Sequence, residues 1–192
     1  EQMLELVALE PFQKGFLSHT WPDQAGFFGD GKCAMALMGN WMYGSQKANS
    51  SSGEGLGDDN MGMFNMPMTS GGLGDAGDTL GGINGWLFSS SAPDSAVEFI
   101  MHYVSLDIQK DDAGKGAYIP IVKGADVSLT NPFLQQVAQN ISNSEYHQIF
   151  YDQFLGADIG RVVNDVSTDL AAGIITPEEA TQAVQEAWEF NQ

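Results

Sequence analysis

The stretch GFFGDGKCAMALMGNW, residues 26–41, decides how this chain is read. Six residues in it, Cys33-Ala34-Met35-Ala36-Leu37-Met38, are apolar without a break and stand between Gly31 and Gly39. A short apolar run bounded by glycines predicts a strand buried on both faces. Gly39-Asn40-Trp41 follows it, so the indole is expected just past the strand end. Open α/β sheets bind ligands at that place. A tryptophan beside a turn is also an ordinary core residue, because indoles are mostly buried. The stretch alone leaves both readings open.

Charge narrows the choice of partner. The chain has 192 residues, with 25 acidic side chains against seven Lys plus Arg, for a net charge of -18. Arg161 is its single arginine. A chain this acidic repels phosphate backbones and anionic lipid surfaces, so nucleic-acid binding is not expected. Apolar residues make up 43%, enough for a packed core and too many for wholesale disorder. Cys33 is the lone cysteine, so no intrachain disulfide and no cysteine-based zinc site can form. It sits in the apolar run and reads as an inert buried thiol. No apolar stretch approaches the length of a transmembrane span. The first residues, Glu1-Gln2-Met3-Leu4-Glu5-Leu6, read as the middle of an amphipathic helix, and the chain is expected to begin partway through a longer protein.

Beyond residue 41 the pattern alternates between loops and elements. Residues 3–9 are helical in pattern and Pro11 ends them. Asp23 is a candidate cap for a short helix through Ala25, Phe27 and Phe28. Residues 44–60 are rich in Gly, Ser, Asn and Asp and predict an exposed loop. Met61, Met63, Met66 and Met68 lie in a strand-like run that Pro67 closes. A second glycine-rich loop covers 69–79, and 80–88 reads as a strand interrupted by glycines. Asp94 opens a helix with Ala96, Val97, Phe99, Ile100, Tyr103 and Val104 at helical spacing, which stops before the polar run 107–116. Residues 118–122 form a short extended piece. From 131 onward helices dominate. Asn131-Pro132 starts one, 144–154 reads as a second, and 162–172 as a third that Gly173 ends. Thr176-Pro177-Glu178-Glu179 launches the last with a capping box, and Ala180, Ala183, Val184, Ala187 and Trp188 share one of its faces.

Familiar catalytic and cofactor motifs do not hold up in context. Gly72-Leu73-Gly74-Asp75-Ala76-Gly77 spells G-x-G-x-x-G, but no helix follows it and Asp75 and Asp78 would repel a pyrophosphate. Asp58-Asp59-Asn60 hints at a calcium loop but lacks the closing glutamate. His19, His102 and His147 share no metal-type spacing, and His147 beside Tyr146, Tyr151 and Asp152 reads as a hydrogen-bonded helix face. The nucleophile elbow G-x-S-x-G is absent. Neither metal nor cofactor is expected. What remains is a set of aromatic and small polar residues beside glycines: Asn40 and Trp41, Asn84 and Trp86, then Tyr151, Asp152, Phe154 and Asp158. Flat rings can cover the apolar CH faces of a sugar, Asp and Asn can bond its hydroxyls, and glycine lets the backbone approach closely.

The order of these features resembles the C-terminal half of the family 1 extracellular solute-binding proteins, the sugar-binding subunits of bacterial ABC importers. Phe28-Gly29-Asp30-Gly31-Lys32-Cys33-Ala34-Met35 is similar to that family's F-x-x-G-x-x-A-M phrase, and Gly39-Asn40-Trp41 to its G-x-W. Met63-Phe64-Asn65-Met66-Pro67, Gly81-Gly82-Ile83-Asn84-Gly85-Trp86, Ala96-Val97-Glu98-Phe99-Ile100 and the Thr176-Pro177-Glu178-Glu179-Ala180 helix start follow in the family's order.

The resemblance implies an α/β, periplasmic-binding-protein type II-like fold of two lobes, here a fragment lacking most of the N-terminal lobe and helix-rich at its C-terminal end. Residues 1–66 would be the first part of the C-terminal lobe and 67–79 a hinge or crossing loop. Residues 80–120 would belong to the N-terminal lobe, and 121–192 would complete the C-terminal lobe. Hinges would lie near 65–80 and 119–123. Trp41 would stack on a sugar ring with Asn40 beside it. Gly81, Gly82, Asn84 and Trp86 would line the cleft from the other lobe, joined by Phe154 and Asp158.

The implied function is reversible binding of a mono- or oligosaccharide, without chemistry, and delivery to the permease subunits of an ABC transporter. The implied location is periplasmic or otherwise extracytoplasmic, with a lipid anchor supplied by the absent N-terminus. The missing part of the protein is a further candidate partner, as a separate chain. A glycoside-cleaving enzyme domain and a ligand-sensing or adhesion module are the rival readings. Turnover of an oligosaccharide would mark the first rival.

Overall fold

The computed structural model describes residues 2–82, 84–116 and 118–191. Among them the chain forms α1 (Gln2–Ala8), α2 (Trp21–Gly29), α3 (Met42–Asn49), β1 (Thr79–Gly81), α4 (Asp94–Tyr103), α5 (Leu106–Gly114), α6 (Pro132–Asn143), β2 (His147–Ile149), α7 (Tyr151–Phe154), α8 (Ala157–Ala171) and α9 (Pro177–Phe190). The protein is helix-rich, with one small parallel pair of strands, β1 beside β2. The backbone amide of Thr79 donates to the carbonyl of Tyr146 and that of Phe150 to the carbonyl of Gly81.

By its contacts the chain divides into two compact units. One comprises Glu1–Asp23, Leu80–Gly82 and Ile149–Gln192. The other comprises Gln24–Thr79 and Ile83–Gln148. The chain therefore passes between the units four times, within α2, within β1, just after Gly82 and within β2.

In the first unit α8 is the central helix and packs against α7, α9 and α1. Gly156, at φ +85°, turns the chain sharply between α7 and α8, a backbone conformation that suits glycine. Gly160 then brings α8 against the backbone of α7. A Cβ at residue 160 would stand 2.0 Å from the carbonyl oxygen of Asp152. At the far end Thr176 accepts from the amide of Glu179, and the Glu179 carboxylate accepts from the amide and hydroxyl of Thr176. That reciprocal cap, with Pro177 in the first turn, starts α9 where the sequence places it.

The second unit rests on two different centres. Ala113 of α5, Leu129 and Leu134 of α6 form an apolar cluster, with Ile119 and Ala138 against it. Asn131 caps α6 by accepting from the amides of Phe133 and Leu134, both at 3.0 Å. Elsewhere the interior is polar. The largest fully buried side chains are Gln46 and Gln109. The Oε1 of Gln46 accepts from the Leu56 amide at 2.7 Å, and its Nε2 donates to the carbonyls of Tyr43 and Leu56. The amide group of Gln109 donates to the Tyr118 hydroxyl at 2.7 Å and accepts from the Ile121 amide at 3.1 Å. Each glutamine ties its helix to the loop that follows, satisfying backbone groups that burial would otherwise leave unpaired. Tyr118 in turn donates to Asp112 at 2.8 Å. Burial raises the Tyr118 pKa, and hydrogen bonds with Tyr103 and Asp112 add to the rise.

Several elements depart from the sequence reading. The run 33–38 joins no strand ladder and bends at Ala34, and Met35 and Leu37 are 73% and 74% exposed. The run thus carries the apolar signature of a buried strand without a neighbouring strand to pair with, among the described residues. The same holds for 61–68, where Phe64, Met66 and Met68 are exposed, and for most of 80–88, of which only the first two residues extend β1. Ile83, within that stretch, lies outside the described residues.

The expected loop at 44–60 starts with helix α3. Met42 and Gln46, one turn apart, are both buried. Gly26 and Gly29 of α2 let that helix come close, since Cβ atoms there would stand 2.6 and 2.2 Å from the carbonyl oxygens of Asn49 and Gln46. The polar run 107–116 is likewise largely helix, with Gln109 and Ala113 buried at i, i+4. Residues 144–154, expected as a helix, split into β2 and the single turn α7. His147 therefore lies on a strand, its Nδ1 2.8 Å from the Thr79 hydroxyl. Helix α8 starts five residues earlier than its pattern suggests. Asp23 is not the cap of α2 but lies in its first turn and accepts from the amide and hydroxyl of Thr20.

Asp30, at the end of α2, anchors the loop after α3. Its carboxylate accepts from the hydroxyl and the amide of Ser51, both at 2.7 Å, and from Lys32 at 3.1 Å. The hydroxyl and then the amide of Ser51, followed by Lys32, hold its pKa near about 2, below the ordinary 3.8. A folded value below the unfolded one means that the stabilisation is complete above pH 3.8 and fades as pH falls through about 2. Asp30→Asn is expected to remove this part of the acid dependence, read as a flatter unfolding-midpoint profile between pH 4 and 2. An identical acid limb in variant and parent would contradict the assignment.

Candidate functional site

Trp41 stands at the entry of α3, with helical dihedrals (φ -64°, ψ -17°). The sequence places it past a strand end, but the structure places it at a helix head, because 33–38 forms no strand. The amide of Met42 donates to the Gly39 carbonyl and that of Tyr43 to the Asn40 carbonyl, so Gly39 and Asn40 form the turn that starts the helix. The six-membered ring of the indole folds back over Gly39. A Cβ on Gly39 would stand 2.3 Å from Cζ3 of Trp41, so only glycine leaves the ring this position. The side chain stays 45% exposed, and Asn40 beside it is partly buried. An indole held by glycine and open to solvent is a platform for a flat apolar surface.

Two residues further on, Tyr43 donates to Asp58 at 2.9 Å and its oxygen accepts from Lys47, also at 2.9 Å. The Lys47 ammonium lies 4.4 Å from the centre of the Tyr43 ring, and that ring tilts against Phe133 at 5.8 Å. The hydrogen bond to Tyr43 raises the pKa of Lys47, reinforced by the carboxylates of Asp58 and Glu54. This network fixes α3, and with it the turn that carries Trp41.

In the same unit Trp86 meets Tyr103 edge to face, at 5.9 Å and 78°. It lines an apolar groove of about 380 Å³ with Phe88, Ala96, Phe99 and Ile100. Asn84, two residues earlier, is exposed. Trp41 does not line this groove.

Compared with models of known protein families and with curated proteins, the chain matches none. The geometry therefore carries the functional argument.

In the other unit Gly81 accepts from the amide of Phe150, and Gly82 lies against α7. A Cβ on Gly82 would reach within 3.3 Å of Gln153 Oε1 and 3.4 Å of the Phe150 ring. Phe154, at the end of α7, is exposed. Asp158, in the first turn of α8, lines a groove of about 210 Å³ with Leu155, Gly156, Trp188 and Asn191. The sequence pattern puts Trp188 on one face of α9 with Ala180, Ala183, Val184 and Ala187. In the structure it is 43% exposed and faces this groove. The signal was the spacing of Trp188 and Asn191 at i, i+3, at the very end of α9.

The expected residues thus gather as Asn40 with Trp41, Asn84 near Trp86, Gly81 and Gly82 beside α7, and Asp158 with Trp188 and Asn191. Among the described residues, no three or more His, Cys, Asp or Glu are placed to hold a metal ion. Among them too, no helix is long and apolar enough to cross a membrane.

Proposed function

We propose that this chain is the C-terminal part of a two-lobed saccharide receptor that serves an ABC importer. One observation carries the reading: the solvent-open indole of Trp41, seated on Gly39 with Asn40 beside it. A pyranose has an apolar face for the ring and hydroxyls for the neighbouring amide, and an aromatic platform of this kind stabilises binding without chemistry.

Closure of the two implied lobes about a hinge would let the ligand favour one conformation, which a membrane permease can then recognise. The lobe division at 1–66, 67–79, 80–120 and 121–192 belongs to this proposal, as do the extracytoplasmic location and the contributions of Gly81, Gly82, Asn84, Trp86 and Phe154 to the ligand.

Titration calorimetry with a panel of mono- and oligosaccharides tests it, with reducing-end analysis of the mixture afterwards. The expected result is saturable heat with at least one saccharide and no cleavage. Absence of heat across the panel, or release of shorter sugars, would overturn it, and release would favour a carbohydrate-active enzyme.

A further inference from the structure

The groove between the head of α8 and the tail of α9 carries a chemistry of its own. Its lining residues carry both acceptors and donors, the donors including the Trp188 indole N–H and the first amides of α8. Asp158 offers a carboxylate that makes no hydrogen bond to another described residue. The side-chain nitrogen of Asn191 donates to the Ala187 carbonyl at 2.8 Å, which leaves its amide oxygen open. The exposed indole of Trp188 presents a π face. No lysine or arginine lines the groove.

Three further charges bear on it. The last turn of α9 adds partial negative charge, although Asn191 takes the carbonyls of Ala187 and Trp188. The head of α8 contributes partial positive charge, which the full charge of Asp158 on that same turn outweighs. The net charge of -18 draws cations to the whole molecule.

A carboxylate, an amide oxygen and an aromatic face around a volume of about 210 Å³ match a compact organic cation better than a neutral polyol. An ammonium ion also compensates the charge of Asp158, which a neutral polyol does not. We infer that this groove binds a small organic ammonium ion, its charge against Asp158 and its N-methyl or methylene face on Trp188. The inference gives Asp158 a different ligand from the one the family resemblance implies, and it stands without the saccharide reading.

The test follows the indole N–H resonances of the full chain by NMR, with the Trp188 signal identified by its loss in Trp188→Phe. Choline is the cationic probe. The neutral isostere 3,3-dimethylbutan-1-ol controls for shape and glucose for polyols. Choline is expected to shift the Trp188 signal saturably and leave the Trp41 signal in place. The isostere is expected to bind about fivefold more weakly or worse. Asp158→Asn, which keeps the shape of the side chain, should weaken choline about fivefold while leaving the circular dichroism unchanged. Trp188→Leu should weaken it by a similar factor. Equal binding of choline and its isostere, unchanged affinity in Asp158→Asn, a silent Trp188 signal, or a response to glucose in place of choline would each overturn the inference. Loss of saccharide binding elsewhere on the protein would not touch it.

Discussion

Gly160→Ala is expected to cost about 3 kcal/mol of stability. The added methyl would meet backbone on the facing side: the carbonyl oxygen of Asp152 at 2.0 Å, with its carbonyl carbon and Cα both at 2.7 Å. Backbone cannot rotate aside as a side-chain tip can, so α7 must lift from α8. That motion also strains the bond from Asn164 to the Asp152 carboxylate. Chemical denaturation followed by circular dichroism reads the loss as a lower midpoint. Gly156→Ala is the instructive companion. Space around Gly156 is open, but its φ of +85° with ψ of 163° is a conformation that essentially only glycine adopts, so the cost there is about 1 to 3 kcal/mol of backbone strain without a clash. Equal stability of Gly160→Ala and the parent would refute the close approach of the two helices.

Trp41→Ala is expected to weaken saccharide binding tenfold or more, at least about 1.4 kcal/mol. Its side chain is 45% exposed, so the fold should lose little while the stacking surface disappears. Calorimetry against the best saccharide of the panel separates these effects. Gly39→Ala should act in the same direction through geometry alone, because its methyl takes the place of the indole. Unchanged affinity in both variants would remove Trp41 from the ligand site and with it the main support for the receptor reading.

The helices were legible where capping chemistry and periodicity agreed. Asn131-Pro132 and the Thr176 to Glu179 box each start a helix at the residue the sequence indicates. The misreadings share a cause. Glycine and polar side chains argue for loops when judged locally, yet α3 and α5 are helices because buried Gln46 and Gln109 are satisfied by loops distant in sequence from their own turns. The α8 start was hidden by Gly156 and Gly160, the very residues that allow the α7 to α8 corner. The opposite error occurred at 33–38 and 61–68. Apolar continuity there indicates what a strand would bury, but a ladder needs a partner, which local pattern does not supply. At the candidate site, Trp41 was identifiable from its Gly-Asn approach, although on a helix head instead of a strand end. The pairing of Asp158 with Trp188 was not, because it joins two helices through a fold that no local pattern encodes.

The two sealed glutamines have a calorimetric consequence. Among the described residues, the other buried side chains are Asn131, four alanines and four larger apolar ones, Met42, Leu129, Leu134 and Ile159. Unfolding such an interior wets little hydrocarbon and much amide, and these alter the heat capacity in opposite directions. The heat-capacity increment per residue should therefore fall below the roughly 12–15 cal/mol/K typical of globular domains. The unfolding enthalpy would then drift only gently with temperature, and a scanning calorimeter would record a broad, shallow stability curve in place of a steep dome.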